Sequence, residues 1–526
     1  MVNLATVLTD SAREYPDKTA VVFGDMRLTY QQIDQISNQV ANGLRAAGVQ
    51  RGEKVALCCP NLPYFPMVYY GILKVGASVV PLNVLLKKRE IAYHMADSDS
   101  VALICFEGSP DLPLAEHAWA AFNEVDACRN LWYLPAVPGG DAPIDGANTL
   151  ADLIAGQPDT FDTEQMDSDD TAVILYTSGT TGQPKGAELT HNNIIMNAFI
   201  SKELGENTID DTLLIVLPLF HSYGQVVMMN AGFLARCTLV LLPRFNASQA
   251  LALMDKENVT CFSGVPTMYW EILNCPDTEK YDLEKIRKTL RSCGCGGASM
   301  PVEVMRAFDE KFDVKIVEGY GLSETSPVAC FNRLDKERKP GSIGLPVWGI
   351  EMRCVDEDMN DVPVGEPGEV IIRGHNIMKG YYKRPEANEE AFRGGWFHSG
   401  DVGTKDEDGY FYIVDRTKDM IIRGGFNVYP REIEEVLVTH PDISLAAVIG
   451  IPDEEYGEEV LAYVIPKPGK SIDPSGVIAW AREEMAGYKY PRHVIARDAF
   501  PLGPSGKILK RELRKDAVEY IEAATK

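Results

Sequence analysis

The chain has 526 residues, 45% of them hydrophobic and 24% charged, with 51 Lys and Arg against 76 Asp and Glu. That length exceeds what a single hydrophobic core organises and points to several domains of ordinary soluble composition. The formal net charge of −25 argues against a nucleic-acid or anionic-membrane partner, because binding a phosphate polymer needs a basic surface.

No element near the start reads as a leader or a membrane span. The N-terminus lacks a basic start followed by an apolar run, and the most apolar stretch, Val68 to Leu86, is broken by Gly71, Lys74, Gly76, Pro81 and Asn83. The C-terminal Ala-Ala-Thr-Lys matches no peroxisomal or retention address. Eleven cysteines, scattered from Cys58 to Cys354, do not form a disulfide pattern, and Cys293 with Cys295 has no second pair to complete a zinc site. Reduced thiols in a cytoplasmic protein are the simplest expectation.

In chain order, the spacing of Ile33, Ile36, Val40 and Leu44 predicts a helix, and Lys54 to Cys58 a strand. The apolar run Ala172 to Leu175 then opens into Tyr176-Thr-Ser-Gly-Thr-Thr-Gly-Gln-Pro-Lys-Gly186. Small residues there let backbone N–H groups approach phosphate oxygens, Thr177, Ser178, Thr180 and Thr181 add hydroxyl donors, and Lys185 adds a full charge. Pro184 before Lys185 and Gly186 after it exclude the common P-loop, which needs Gly-Lys followed by Ser or Thr. The same residue types also suit a plain surface loop.

Further on, Ile194–204, Leu213–217, Val226–234, Thr238–242 and Ala247–256 alternate short apolar strands with helices, which predicts layered α/β architecture with a largely parallel sheet. Gly294-Cys-Gly-Gly-Ala-Ser299 approaches a dinucleotide fingerprint, but Ser299 stands where the last glycine belongs; Gly296, Gly297 and Ala298 would still let a flat ring lie on backbone. Glu318 to Thr325 combines an aromatic face at Tyr320, a hydroxyl at Ser323 and a carboxylate at Glu324, enough for base, phosphate and magnesium. After about Asp335, turns at Gly341, Gly344, Gly365 and Gly368 punctuate short strands, which suggests a β-rich subdomain. Asp401 suits ribose hydroxyls with Arg416 in support, although an aspartate there also serves a turn or helix cap. Beyond the charged segment Asp415 to Asp419, predicted helices at 430–439 and 475–485 and strands at 446–451 and 460–465 make a compact α+β unit of about a hundred residues.

At Tyr176–Gly186, Gly319–Glu324, Ser399–Asp401, Asp415-Arg416, Gly424–Glu434 and Pro504–Lys507 the sequence resembles the AMP-forming acyl-CoA synthetase and adenylate-forming superfamily, in the form of its bacterial fatty-acid CoA ligases. The resemblance spans nearly the whole chain. It implies a fold of class α/β: a large N-terminal domain of layered sheets with a β-rich subdomain over 1–415, a hinge at 416–418, and a small mobile α+β domain over 419–526. The implied reaction has two steps, in which a carboxylate attacks the α-phosphorus of magnesium-ATP and coenzyme A then displaces AMP. An acid with an unperturbed pKa of ~4–5 is already ionised, so the first step needs charge neutralisation rather than a general base.

The resemblance makes Lys507 the principal catalytic residue, with Lys185 on the phosphates, His221 positioning the acid, and Glu324 holding Mg2+. It assigns ATP contacts to Thr177, Ser178, Gly179, Thr180, Thr181 and Gly182, to Gly296, Gly297 and Ala298, and to Glu318, Gly319, Tyr320, Gly321 and Ser323. Asp401, Ile413 and Arg416 complete the nucleotide set, Lys418 is the pivot, Asn427 approaches the adenylate, and Gly424 and Gly425 line a pantetheine channel. The expected acid is a medium- or long-chain fatty acid, held by a wall at Gln225–Leu234 and Val265–Met268. An aryl acid such as coumarate or benzoate, or the loading of a separate carrier protein, stands as the alternative. Peripheral membrane contact and a homodimer are left open.

Overall fold

A computed structural model describes residues 2–177, 183–276, 278–416, 419–424, 426–453 and 456–524. Among them, the large N-terminal domain is built on two open sheets. A nine-stranded sheet has a parallel centre that runs Ile316–Gly321, Ser292–Cys295, Cys261–Gly264, Thr212–Ile215, Thr238–Leu241, Thr19–Phe23, with antiparallel edges at Val328–Phe331, Leu345–Pro346 and Met26–Thr29. An eight-stranded sheet is parallel except where Thr171–Thr177 meets Lys185–Thr190 and Lys185–Thr190 meets Gly380–Tyr381. Buried aliphatic strands sealed on both faces by helices are what parallel sheets require, and a single cluster of buried residues runs through both sheets.

Local sequence explains the layers between them. The Tyr30–Ala46 helix starts at a capping box in which Thr29 accepts from Gln32 N–H, and it lies so close to the Tyr64–Lys74 helix that a Cβ on Gly71 would sit 2.5 Å from Val40 Cγ1. The apolar run from Val68 is split between that second helix and the strand Ser78–Pro81. Among the described residues no helix is long and apolar enough to cross a membrane, and all eleven cysteines are free and buried.

A four-stranded antiparallel sheet, Ile350–Val355, Gly368–Gly374, Phe397–Lys405 and Phe411–Arg416, forms the expected β-rich part. The small C-terminal domain follows. Beyond an irregularity between Ile443 and Leu445, its long hairpin Ile443–Asp453 and Gly457–Pro466 alternates, so Ala446 and Val448 face the helices Pro430–Leu437 and Pro474–Glu484, while Leu445, Ala447 and Ile449 face the Lys510–Ala524 helix. The predicted helix over 226–234 is mostly a π-helix, Tyr223–Asn230, that passes into Ala231–Leu234. Its wide turn is set by Gly224, where a Cβ would lie 2.4 Å from Pro218 O, and by Asn230, whose side chain donates to Gln225 O at 2.9 Å.

Candidate active site

Ser292–Cys295 and Ile316–Gly321 are adjacent parallel strands in register at Cys295 and Glu318. Their C-terminal ends therefore place Gly296, Gly297 and Ala298 beside Gly319, Tyr320 and Gly321, the position at which open α/β sheets bind ligands. Glycine at 297 has φ +79°, and glycine at 296 leaves room for Tyr223, whose Cε1 would be 3.1 Å from an added Cβ. Gly319 and Gly321 serve a different purpose. Added Cβ atoms would lie 2.2 Å from the Phe331 ring and 1.8 Å from Pro327 O, so these two glycines permit the close antiparallel edge strand.

Tyr320 reaches across to the four-stranded sheet, where its hydroxyl donates to Asp401 Oδ2 at 2.5 Å. Asp401 is 3% exposed, faces Arg416 in the strand pairing, and lies one strand from Ile413. Glu318 is buried behind this wall, at 1% exposure; its Oε1 accepts from Met300 N–H at 3.1 Å, while Oε2 has no hydrogen-bond partner among the described residues. Burial pushes its carboxyl up to about 7, against the opposing pull of Arg431.

A second cluster joins three segments through one side chain. Tyr381 donates to Glu324 Oε1 at 2.9 Å, and Lys185 Nζ sits 4.2 Å from the centroid of the Tyr381 ring. Ser323 and Glu324 lie in the short helix Ser323–Thr325. Thr177 ends its strand opposite Lys185, and Tyr176 is pinned by a 2.8 Å hydrogen bond to Asp97. Ser178, Gly179, Thr180, Thr181, Gly182, Lys418 and Gly425 lie outside the described residues.

Lys507 arrives from the small domain. Its Cε and Nζ would be 2.9 and 3.3 Å from a Cβ on Gly297. The preceding Gly506, at φ +79°, is pressed against Val265 and Met268, and its carbonyl accepts from Thr267 Oγ1 at 2.7 Å. Val265 and Met268, expected on the acid-binding wall, thus support the Lys507 loop. His221 feels the same lysine: burial and then the Lys507 charge push its imidazole down to about 3, so it is neutral, with Nδ1 accepting from Tyr223 N–H at 3.2 Å. Beyond Tyr223 lies a cavity of about 40 Å³ between the His191–Leu204 helix, the π-helix and the strand ends, lined by Leu204, Leu213, Val227, Met228, Val328 and Phe331 among others. Val226 and Met229, also expected there, are fully packed core.

The structure thus brings Lys507, Gly297 and His221 together, Tyr320 with Asp401, and Lys185 with Glu324. Gly424 and Asn427 belong to a separate hairpin, Ile421–Arg423 with Phe426–Val428, in which Gly424 has φ +57° and donates to Tyr456 O. Tyr381 was missed by sequence reading. It lies 57 residues from Glu324, and no local pattern marks an aromatic residue that bridges two distant charges.

The AMP-binding enzyme family model matches residues 8–382, and the AMP-binding enzyme C-terminal domain model matches 432–507. The chain belongs to the AMP-binding enzyme family. Among the members of this family, the chain is 36% identical to a long-chain-fatty-acid–CoA ligase of Bacillus subtilis (strain 168), over 98% of this chain and 95% of that one. It is 39% identical to a feruloyl-CoA synthase of an Amycolatopsis species, over 96% and 97%. The crystal structure of the anthranilate CoA ligase AuaEII in complex with anthranoyl-AMP superposes with a TM-score of 0.90 at 30% identity, covering 99% of this chain and 98% of that chain. The AMP-binding enzyme described here is an AMP-forming acid–thiol ligase.

Proposed function

We propose that this ligase activates a medium- or long-chain fatty acid with ATP and transfers the acyl group to coenzyme A. The observation that carries the acid class is the cavity beyond Tyr223. Its lining includes no charged side chain, and it follows the strand Ser292–Cys295 from Gly294 to Ser292 and on to Gly205 and Asn207. An uncharged, narrow cavity suits the first carbons of a polymethylene tail, which gain roughly 0.8 kcal/mol per CH2 buried. Glycine at 294 keeps the path open, because a Cβ there would lie 2.8 Å from Ser263 Oγ and 3.3 Å from the Tyr223 hydroxyl.

In this reading Lys507, beside Gly297, neutralises the approaching carboxylate and the α-phosphate, and neutral His221 orients the acid without adding to the positive charge. Lys185 and the Thr177–Gly182 loop take the outer phosphates. Tyr320 and the Gly296–Ala298 turn cover the base, and Asp401 with Arg416 and Ile413 takes the ribose. Mg2+ fits as an oxygen-bound ion that keeps phosphate and water ligands, so the single buried carboxylate of Glu324 is sufficient protein ligation. When bound, that ion offsets phosphate charge. The same reading sets domain limits at 1–415 and 419–526 with the pivot at Lys418, Asn427 near the adenylate and Gly424-Gly425 along the thiol channel. It also places the enzyme in the cytoplasm, with a homodimer open to test.

An aryl acid is the second reading, favoured by the 39% identity to feruloyl-CoA synthase. A panel from acetate to oleate with ferulate, coumarate and benzoate, assayed for coenzyme A-dependent AMP formation, separates the two. Activity should rise with chain length, and Ser201→Phe, a change on the lining of this cavity, should shorten the preferred chain while sparing short acids. Faster turnover of the aryl acids, or an equal loss for every acid in Ser201→Phe, would overturn the fatty-acid reading.

A further inference from the structure

The orientation in which Lys507 meets Gly297 depends on a few contacts far from any reacting atom. On one side stands the Pro266–Leu273 helix of the large domain. Trp270 in this helix donates from Nε1 to Ser444 Oγ at 2.6 Å, and its ring packs on the small-domain core formed by residues such as Leu445, Ile449 and Leu513. One turn earlier, Thr267 holds Gly506 O. On the other side stands Arg431, in the first turn of the small domain's Pro430–Leu437 helix. Its guanidinium reaches back to the large domain, donating to Ile413 O and, at 3.2 Å, to Gly341 O, while Nε pairs with Glu435 at 3.0 Å and its backbone N–H meets Asp415 Oδ2 at 3.3 Å.

We propose that Trp270 with Ser444, and Arg431 with the carbonyls of Ile413 and Gly341, form a two-point latch that selects the adenylate-forming orientation of the small domain; both are positioning residues. The inference rests on the two-step ligase reading but not on which acid is used. Its logic is differential contact. A change of domain orientation can be biased only by interactions present in one state and lost in the other. Trp270 and Ser444 lie on opposite domains, as do Arg431 and Gly341, so turning the small domain must break both pairs together with the Thr267–Gly506 bond. A planar guanidinium that satisfies two carbonyls in a fixed geometry is a directional fastening, which a lysine ammonium reproduces poorly. Arg431 is also the cation that acts on buried Glu318, so undocking it leaves that carboxyl without its favourable charge. Only one latch contact, Arg431 to Ile413 O, touches a residue of the expected nucleotide set, and it does so at the backbone; none lies at Gly297, Asp401 or Glu324, so removing them should leave those three groups in place.

The test separates the half-reactions in the full-length enzyme, using any acid that it turns over. Trp270→Phe keeps the ring and removes the donor, Ser444→Ala removes the acceptor, and Arg431→Lys keeps the charge and removes the fork. Each should slow acid-dependent pyrophosphate release by about 3–10-fold, the range that one net hydrogen bond commands. Conversion of supplied acyl adenylate and coenzyme A to thioester should be unchanged or faster, and thermal midpoints should stay close to the parent. Trp270→Phe with Ser444→Ala should be no worse than either alone, because both delete one bond, whereas Trp270→Phe with Arg431→Lys should multiply. An equal fall in both half-reactions, or no change in either, would overturn the latch. Absence of fatty-acid turnover with normal half-reaction ratios on another acid would overturn only the substrate assignment.

Discussion

The strand-end wall at Gly296, Glu318 and Asp401 and the loop that carries Lys507 meet at one place, yet they are held by different kinds of force. The wall consists of neighbouring strand ends fixed by sheet pairing, by glycines with no room for a side chain, and by buried bonds such as Tyr320 to Asp401. The Lys507 loop is held by docking: Gly506 on Val265 and Met268, Thr267 on Gly506 O, and Trp270 on Ser444. Packing at interior density resists displacement, whereas a few hydrogen bonds shift a two-state population by a factor of roughly 5–30 per 1–2 kcal/mol. A site assembled in this way can keep its nucleotide fixed while exchanging the groups that act on it.

The sharpest way to break that comparison is Lys507→Ala. Loss of a preorganised charge should lower adenylate formation by about 10²–10³-fold, while thioester formation from supplied acyl adenylate should persist. Equal losses in both steps would mean that the loop does not leave the site between them.

A pair of glycine variants sharpens it further. Gly319→Ala drives a Cβ to 2.2 Å from the Phe331 ring, so it should reduce stability by about 1–3 kcal/mol, as overpacking does, and lower both half-reactions together. Gly506→Ala, at φ +79° and 2.8 Å from Val265 Cγ2, should barely move the thermal midpoint but slow pyrophosphate release about tenfold, since it disturbs docking alone. Matching losses of stability in the two variants would erase the distinction. A smaller effect is expected from Tyr320→Phe, which leaves the almost fully buried Asp401 without that phenol. The Michaelis constant for ATP should rise several-fold, with the two half-reactions keeping their ratio.

Much of the fixed side was legible in the sequence because it is local. The strand over Lys54–Cys58 falls where its apolar run predicts, and the small domain's helices and strands fall within a few residues of their expected positions, since period-2 and period-3.6 patterns are written residue by residue. The π-helix was not legible. It depends on Gly224 fitting beneath the carbonyls of Leu217 and Pro218, a tertiary constraint. The docking side was legible only as motifs, and its fastenings were not. Trp270 and Ser444 are 174 residues apart, and Arg431 sits in a segment whose charge reads as an ordinary helix start. Gly319 and Gly321 were legible as glycines, but one reason for them was not: an added Cβ would meet the Phe331 ring or Pro327 O, so they also admit the edge strand.

The smallest effect at neutral pH concerns His191, which tests how rigid the fixed side is. It begins the helix behind the Lys185–Thr190 strand, is fully buried, accepts the Leu4 N–H at Nδ1 at 3.0 Å, and has no hydrogen-bond partner for Nε2 among the described residues. Burial pushes its imidazole down to about 4, with Arg51 adding to the effect and Asp170 opposing it. A histidine depressed on folding contributes stability that is fully present above its unfolded pKa of about 6.5 and is lost as pH falls from there toward 4. Thermal midpoints of the parent should therefore decline more steeply across that window than those of His191→Gln, which keeps an acceptor for Leu4 but takes up no proton. At 1.36 kcal/mol per pKa unit, the difference near pH 4 is at most about 3 kcal/mol, and above pH 7 the two curves should run parallel. Parallel curves throughout would mean that the ring reaches water on the folded enzyme, and that the N-terminal segment around Leu4 opens as readily as the Lys507 loop undocks.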